Sequence, residues 1–390
     1  MDKTEHTSYR IEMVNNREIR LEGPMRRLIA LVFLMLSCSL LAGTRPGMKI
    51  SPNDSLAKCQ EGLSESPPPP AKAPPLKDRP TKVDIGLFIQ EITSIDEING
   101  KFTAEVYLDL IWCDQRLRFD AETEGVDEKT FLEEDAAEKI ESIWWPDIIL
   151  ENQAEPMQPE NMVLTIQSDG TVDLTQRVNM VVSSRFVLDQ FPFDHHTLEI
   201  EMESFRWPKK NIVFISSENR FQISKHDMLP EWGVIGTKSE VKVKKEIRDR
   251  DLFSEFVGEI FIHRRAGFYI FKIMMPLMLI VICSWSVFWM KTDDLADRMS
   301  VSLTVLLAVV AYQFIIVADL PKVPTITYMD AILLLSFVFM VAVVFENIIV
   351  NIIHCDKDNS KAEKIDDFCK KLFPVAYGTA LLSTYMFYFK

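Results

Sequence analysis

Four apolar segments close this chain, at about 267–290, 297–319, 327–351 and 372–389, each near the ~20 residues a helix needs to cross a bilayer. In lipid the backbone must satisfy its own hydrogen bonds, so such segments form helices. The second segment constrains the chain further. Ser300, Thr304, Leu307, Ala311, Phe314 and Ala318 recur in steps of 4, 3, 4, 3 and 4, a single stripe down a helix. Asp297 stands at its lower end. An acid, then hydroxyls, then bulky apolar side chains is the order expected of a cation pore with a hydrophobic gate. One helix encloses nothing, so the stripe requires several copies in a ring.

The rest of the chain is polar. Across 390 residues Asp+Glu number 57 against Lys+Arg 43, a net charge of −14 that argues against nucleic acid as a partner. Met25-Arg26-Arg27 followed by Leu28–Leu41 predicts a secretory signal over 25–43, with an uncleaved anchor or a lipid on Cys38 as alternatives. Residues 1–24 form a polar extension without an assigned role. Residues 44–79, with Ser66-Pro67-Pro68-Pro69-Pro70, read as a disordered linker. The cysteines are scattered, with no CxxC and no metal-ligand spacing. No disulfide framework, metal or other cofactor is expected, and Cys355 and Cys369 are expected as free thiols.

From residue 80 to 265 the pattern is that of strands. Leu198-Glu199-Ile200-Glu201-Met202-Glu203 alternates apolar and acidic residues, Thr103–Ile111 and Val178–Val187 are similar, and Ser168-Asp169-Gly170-Thr171 is a hairpin turn. A β-sandwich follows, with one helical insertion over Asp127–Glu141. Glu199, Glu201 and Glu203 share a face that is either solvated or concentrates cations. Lys357, Lys361, Lys364, Lys370 and Lys371 mark the connection between the third and fourth spans as cytoplasmic, which places the sandwich outside. No hydrolase, zinc-protease, P-loop or dinucleotide motif is present, so no enzyme is expected.

The local motifs resemble those of the pentameric ligand-gated ion channels, the Cys-loop receptor superfamily. Trp112-Cys113-Asp114-Gln115-Arg116-Leu117, Trp144-Trp145-Pro146-Asp147, Asp169-Gly170-Thr171-Val172 and Phe191-Pro192-Phe193-Asp194 follow the family's order. Arg264, twelve residues before Pro276, matches the basic residue that ends the sandwich. Ser184 and Leu198 replace the two cysteines that bracket the signature loop in animal members. The chain therefore resembles the prokaryotic type, and its pore segment is most similar to the bacterial amine-gated cation channel.

The resemblance implies a homopentamer in a bacterial inner membrane, with a β-sandwich outside and a four-helix bundle around a central pore. Asp297, Ser300 and Thr304 would set selectivity for monovalent cations, and Leu307, Ala311 and Phe314 would form the gate. Arg298 lies about 100° round the helix from Asp297 and should point away from the axis. Glu346, deep in the third span, should find a polar partner. Tyr107, Glu151, Phe205 and Phe253 or Phe256 would hold a small agonist, with Glu151 suited to a cationic amine. Coupling would run through Phe191, Pro192, Phe193, Asp194 and Arg264 over Pro321 and Pro324. An anion channel, a receptor that does not conduct, and modulation by protons or divalent ions remain open.

Overall fold

In the computed structural model, residues 59, 71–76, 78–217, 220–224, 229–245, 251–291, 294–319, 324–355 and 359–390 are described. The extension 1–24, the signal segment 25–43 and most of 44–79 lie outside them.

Period-2 hydrophobicity folds as two packed sheets. Strands β1 (Thr81–Asp96), β2 (Lys101–Cys113), β3 (Glu128–Leu132), β5 (Gln153–Gln167), β6 (Thr171–Ser183) and β8 (Ile212–Ile215) run in the order β3-β5-β6-β2-β1-β8, with β9 (Phe221–Ile223) also on β1. The second sheet is β10 (Trp232–Lys245), β11 (Leu252–Arg264), β7 (His195–Ser204) and β4 (Ile148–Leu150). Val83, Ile85, Phe102, Val106, Leu198, Ile200, Met202 and Ile260 fill the space between them. Trp112 meets Trp144 edge-on at 6.0 Å, an aromatic pair worth about 1 kcal/mol beyond its burial. Gly170, at φ 83°, makes the β5–β6 turn, where a side chain would strike the Asp114 carbonyl.

Three local expectations change. Only Glu133–Ser142 of the expected insertion is helical (α1), because Glu128–Leu132 alternates and pairs with β5 as strand β3. Cys59 and Cys113 form a disulfide, with Cα atoms 5.6 Å apart, although their separation of 54 residues carries no spacing signature. The described part of the Pro-rich segment is held to the sandwich. Beyond the disulfide, Arg116 donates to the Ala73 carbonyl at 3.0 Å while its fork grips Asp114 at 2.8 and 2.6 Å. The WCDQRL motif thus closes the end of β2 and clamps the chain that precedes β1.

The apolar end folds as four helices: α2 (Gly267–Trp289), α3 (Leu295–Asp319), α4 (Tyr328–Cys355) and α5 (Asn359–Tyr388). Three of them, α2, the Leu295–Phe314 part of α3, and α4, are long and apolar enough to cross a membrane. The expected lysine-bearing loop is mostly the charged first half of α5, which begins well before residue 372. In α2 the turn over Ile270–Met274 is wound wide ahead of Pro276. Proline has no N–H to offer the carbonyl four residues back, Lys272 O. The hydroxyl of Tyr312 on α3 donates to that carbonyl instead, at 2.7 Å.

Candidate pore and ligand site

Helix α3 has two opposite faces. Asp297, Ser300, Thr304, Leu307, Ala311 and Phe314 are all exposed, Leu307 by 69% and Phe314 by 78%. Arg298, Ser302, Val309 and Ile316 are buried against the other helices. A membrane helix that keeps Phe314 uncovered and buries an arginine is oriented by something other than hydrophobicity.

The buried arginine has partners on two helices. Arg298 Nε donates to Asn347 Oδ1 on α4 at 2.9 Å, and Nη2 donates to Asp366 Oδ1 on α5 at 2.5 Å. Glu346 Oε2 lies 3.5 Å from the same Nη2. Asn347 Nδ2 donates to Ser302 Oγ at 2.6 Å. Glu346 therefore does find a partner, but Arg298, Asn347 and Asp366 as one cluster are not visible in the sequence.

The expected ligand residues fall on two sheets. Register places Glu203 opposite Glu255, Glu201 opposite Val257, and Phe253 opposite Lys244 on the outward face of the four-stranded sheet. Glu151, whose N–H donates to Glu201 O at 2.8 Å, extends this face, and exposed Phe205 ends β7 beside it. Lys244 Nζ lies 3.2 Å from Glu255 and 3.8 Å from Glu151. Burial pushes the Glu201 carboxyl above its usual range, and repulsion from Glu255, Glu199 and Glu151 adds to it against the pull of Lys244. Phe256 is not part of this face. It points into the core against Phe221, at 6.0 Å, because strand alternation sends Phe253 and Phe256 to opposite sides. Tyr107 lies on the outward face of the other sheet, 6.4 Å from Phe88 and near Arg177, which is paired with Glu105 and Glu160. Within one chain Tyr107 and Phe253 face away from each other. Glu203 is buried rather than solvated, and Glu255, also buried, was not singled out by sequence, because the alternation that placed Glu203 on this face could not show its cross-strand neighbour.

At the sandwich base, Arg264 Nε donates to Asp194 Oδ1 at 2.9 Å and Nη2 to Glu97 Oε1 at 2.8 Å. The guanidinium lies 4.2 Å from the Trp232 ring and 4.9 Å from Phe191. His196 Nε2 stands 2.6 Å from Asp194 Oδ2. Burial alone would raise the Asp194 carboxyl, but the His196 and Arg264 hydrogen bonds outweigh it and hold the group below its usual range. Phe191 packs on Tyr269 of α2 at 4.7 Å, and Phe193 on Tyr328 of α4 at 6.1 Å. Tyr328 N donates to Asp189 O at 2.8 Å, and Gln190 Nε2 to Tyr388 O at 2.9 Å. The 188–194 loop thus touches three helices. Pro192 lies within it, Pro324 is exposed, and Pro321 lies outside the described residues.

Two family models match this chain: the neurotransmitter-gated ion-channel ligand binding domain over residues 70–266 and the neurotransmitter-gated ion-channel transmembrane region over residues 273–382. The chain belongs to this family, the pentameric ligand-gated (Cys-loop superfamily) channels. It is similar to a proton-gated ion channel of Gloeobacter violaceus, 27% identical over 324 residues, covering 83% of this chain and 86% of that one. It is also similar to the gamma-aminobutyric acid receptor subunit gamma-1 of Rattus norvegicus, 25% identical over 300 residues, 75% of this chain and 62% of the subunit. The beta-like subunit of Drosophila melanogaster is 25% identical over 303 residues, 74% and 60%. The chain spans about three-fifths of those receptor subunits' length. It is a ligand-gated ion channel subunit, not an enzyme, and an integral membrane protein with an extracellular domain.

Proposed function

We propose that this chain forms a homopentameric, cation-selective channel of a bacterial inner membrane, opened by a small cationic agonist. The observation that carries the reading is the uncovered α3 face, with Asp297 low, Ser300 and Thr304 above it, and Leu307, Ala311 and Phe314 higher. In a ring, the Asp297 carboxylates attract cations and repel anions, the hydroxyls replace part of a monovalent cation's hydration shell, and Leu307 and Phe314 stop ions by dewetting when the helices close.

The agonist site lies between subunits, with Glu151, Phe205 and Phe253 from one and Tyr107 from its neighbour. Glu151, Glu201, Glu203 and Glu255 gather on the first face around Lys244, with Lys242 opposite Glu255 and paired to Glu240, and Phe253 lies opposite Lys244, an arrangement suited to an ammonium over an aromatic ring. The Asp194–Arg264 junction passes a tilt of the sandwich to α2, α4 and α5. Protons are a second input: the Gloeobacter relative is named proton-gated, and burial with the adjacent Asp109 raises Asp173 to about 7.

Reversal potentials in a sodium chloride gradient test the pore, with wild type and Asp297→Ala screened against small amines, pH and calcium. Current reversing near the sodium potential, with selectivity lost in Asp297→Ala, is the expected result. Reversal at the chloride potential overturns the cation reading, and silence under every condition favours the receptor that does not conduct.

A further inference from the structure

Asp297 is not at the centre of the exposed α3 stripe. At 100° per residue it stands about 60° from Ser300, at the stripe's edge, while Arg298 stands about 160° from Ser300, at the back of the helix. A turn of half a residue step, about 50°, therefore brings the Asp297 carboxylate to the centre of the pore face or carries it out altogether. The rotation of the lower half of α3 decides what an ion meets.

That rotation is held from behind. The Arg298 guanidinium is a rigid planar fork, 1% exposed, and it reaches Asn347 at 2.9 Å, Asp366 at 2.5 Å and Glu346 at 3.5 Å. These three partners come from two helices, so the fork cannot follow a turn of α3 without breaking contacts to both. Ser302, one turn higher, adds its Oγ to the Asn347 amide at 2.6 Å. The Tyr312 hydroxyl fixes the upper half on α2, but fourteen residues separate it from Arg298, too far to hold the base. One guanidinium beside two carboxylates is a costly way to pack a membrane core, and apolar side chains of the same volume would stabilise it at least as well. What the cluster supplies is a unique orientation.

We infer that the buried Arg298–Asn347–Asp366–Glu346 cluster fixes the rotation of α3 about its axis and so determines cation selectivity through the neighbouring Asp297. These are positioning residues, since none of them touches the permeating ion. The inference rests on the reading of Asp297 as the selectivity ring.

The test is the sodium-to-chloride permeability ratio of the full-length channel, for Asp366→Asn and Asn347→Ala, each alone and combined with Asp297→Ala. Each is expected to lower the ratio about tenfold, equivalent to ~1.4 kcal/mol, and to change nothing further once Asp297 is alanine. Asn347→Ala removes no charge and leaves the ion pairs intact, so it reports on orientation even where Asp366→Asn does not assemble. Smaller currents or less surface protein at an unchanged ratio overturn the inference and leave a structural role. A tenfold loss that persists in the Asp297→Ala background overturns it too, because the cluster then acts without Asp297. An unchanged ratio in Asp297→Ala alone refutes the pore reading, and the inference falls with it.

Discussion

Arg264 and Asp194 are partners, yet losing one should not equal losing the other. Arg264→Gln leaves two carboxylates, Asp194 and Glu97, without their cation, and Asp194 is only 1% exposed. Breaking a buried pair in this way costs about 3–5 kcal/mol. The Trp232 and Phe191 faces, 4.2 and 4.9 Å from the guanidinium, lose a cation worth about 1 kcal/mol more. Asp194→Asn is milder. Its amide oxygen still accepts from Arg264, and Glu97 still neutralises the guanidinium at 2.8 Å. What goes is the charged component of the Arg264 bonds and the carboxylate beside His196, about 2–3 kcal/mol. The assay is survival of the detergent-solubilised oligomer, followed by size-exclusion after heating at one fixed rate. With ~2–4 °C per kcal/mol, Arg264→Gln should lower the midpoint by about 8–24 °C and Asp194→Asn by about 4–12 °C. Glu97→Gln should be nearly silent alone but add more than its own effect on top of Asp194→Asn. Equal losses for Arg264→Gln and Asp194→Asn, or additive behaviour with Glu97→Gln, would refute the idea that Glu97 supports the arginine.

Two further outcomes follow from charge and connectivity. Asp173 is raised from 3.8 to about 7 in the fold, by burial first and then by Asp109, so its contribution to stability is complete below pH 3.8 and disappears as pH rises through about 7. Asp173→Asn should flatten the fall of the thermal midpoint between pH 5 and 8, a slope of at most ~1.4 kcal/mol per pH unit for one proton; a variant that retains the wild-type slope assigns the titration elsewhere. Asp194, held low, works in the opposite sense: its stabilisation is present above its ordinary range and is lost only as pH falls through its lowered value. Opening the Cys59–Cys113 bond, which closes 54 residues, should cost about 4 kcal/mol by loop entropy. Cys113→Ser should then lower the midpoint and expose the chain around Ala73 to protease, and unchanged proteolysis would mean that the Arg116 contact holds that chain unaided.

How much of this was legible in the sequence depended on the range of the interaction. The exposed stripe of α3 is a local pattern, and the 100° step alone placed Arg298 at its back. Its partners could not be named, because Asn347 and Asp366 lie 49 and 68 residues away on other helices. Asp366 was further obscured by lysines that made the start of α5 look like a loop. The core faces of β2 and β7 were legible from alternation, yet β11 offered Phe253 and Phe256 with equal composition, and only its register against β7 separates the outward face from the core. Glu128–Leu132 misled for a related reason, since acidic residues on an exposed strand and on an exposed helix look alike until β5 supplies the pairing. The Cys59–Cys113 pair carries no local signal at all.

The two surfaces that matter most are both incomplete in a single chain, and they are incomplete in compatible ways. On the sandwich, Glu151, Phe205 and Phe253 face outward from one sheet, while Tyr107, Phe88 and the paired Arg177 face outward from the other. No movement within one subunit can bring them together, because the whole core lies between the sheets; a second subunit that presents its other face can. In the membrane, Leu307 and Phe314 are left bare on a helix whose back is fully engaged. Lipid would accept those two residues, and Thr304, whose hydroxyl donates to the Ser300 carbonyl at 2.6 Å, but not the Asp297 carboxylate on the same stripe. A head-to-tail ring resolves both problems with one operation, since each contact joins unlike sheet faces and closure turns every α3 stripe toward a common axis. Under the proposed function, a cation held between the sandwiches and a cation passing Asp297 would be linked through the Asp194–Arg264 junction and its packing on α2 and α4 of the same chain.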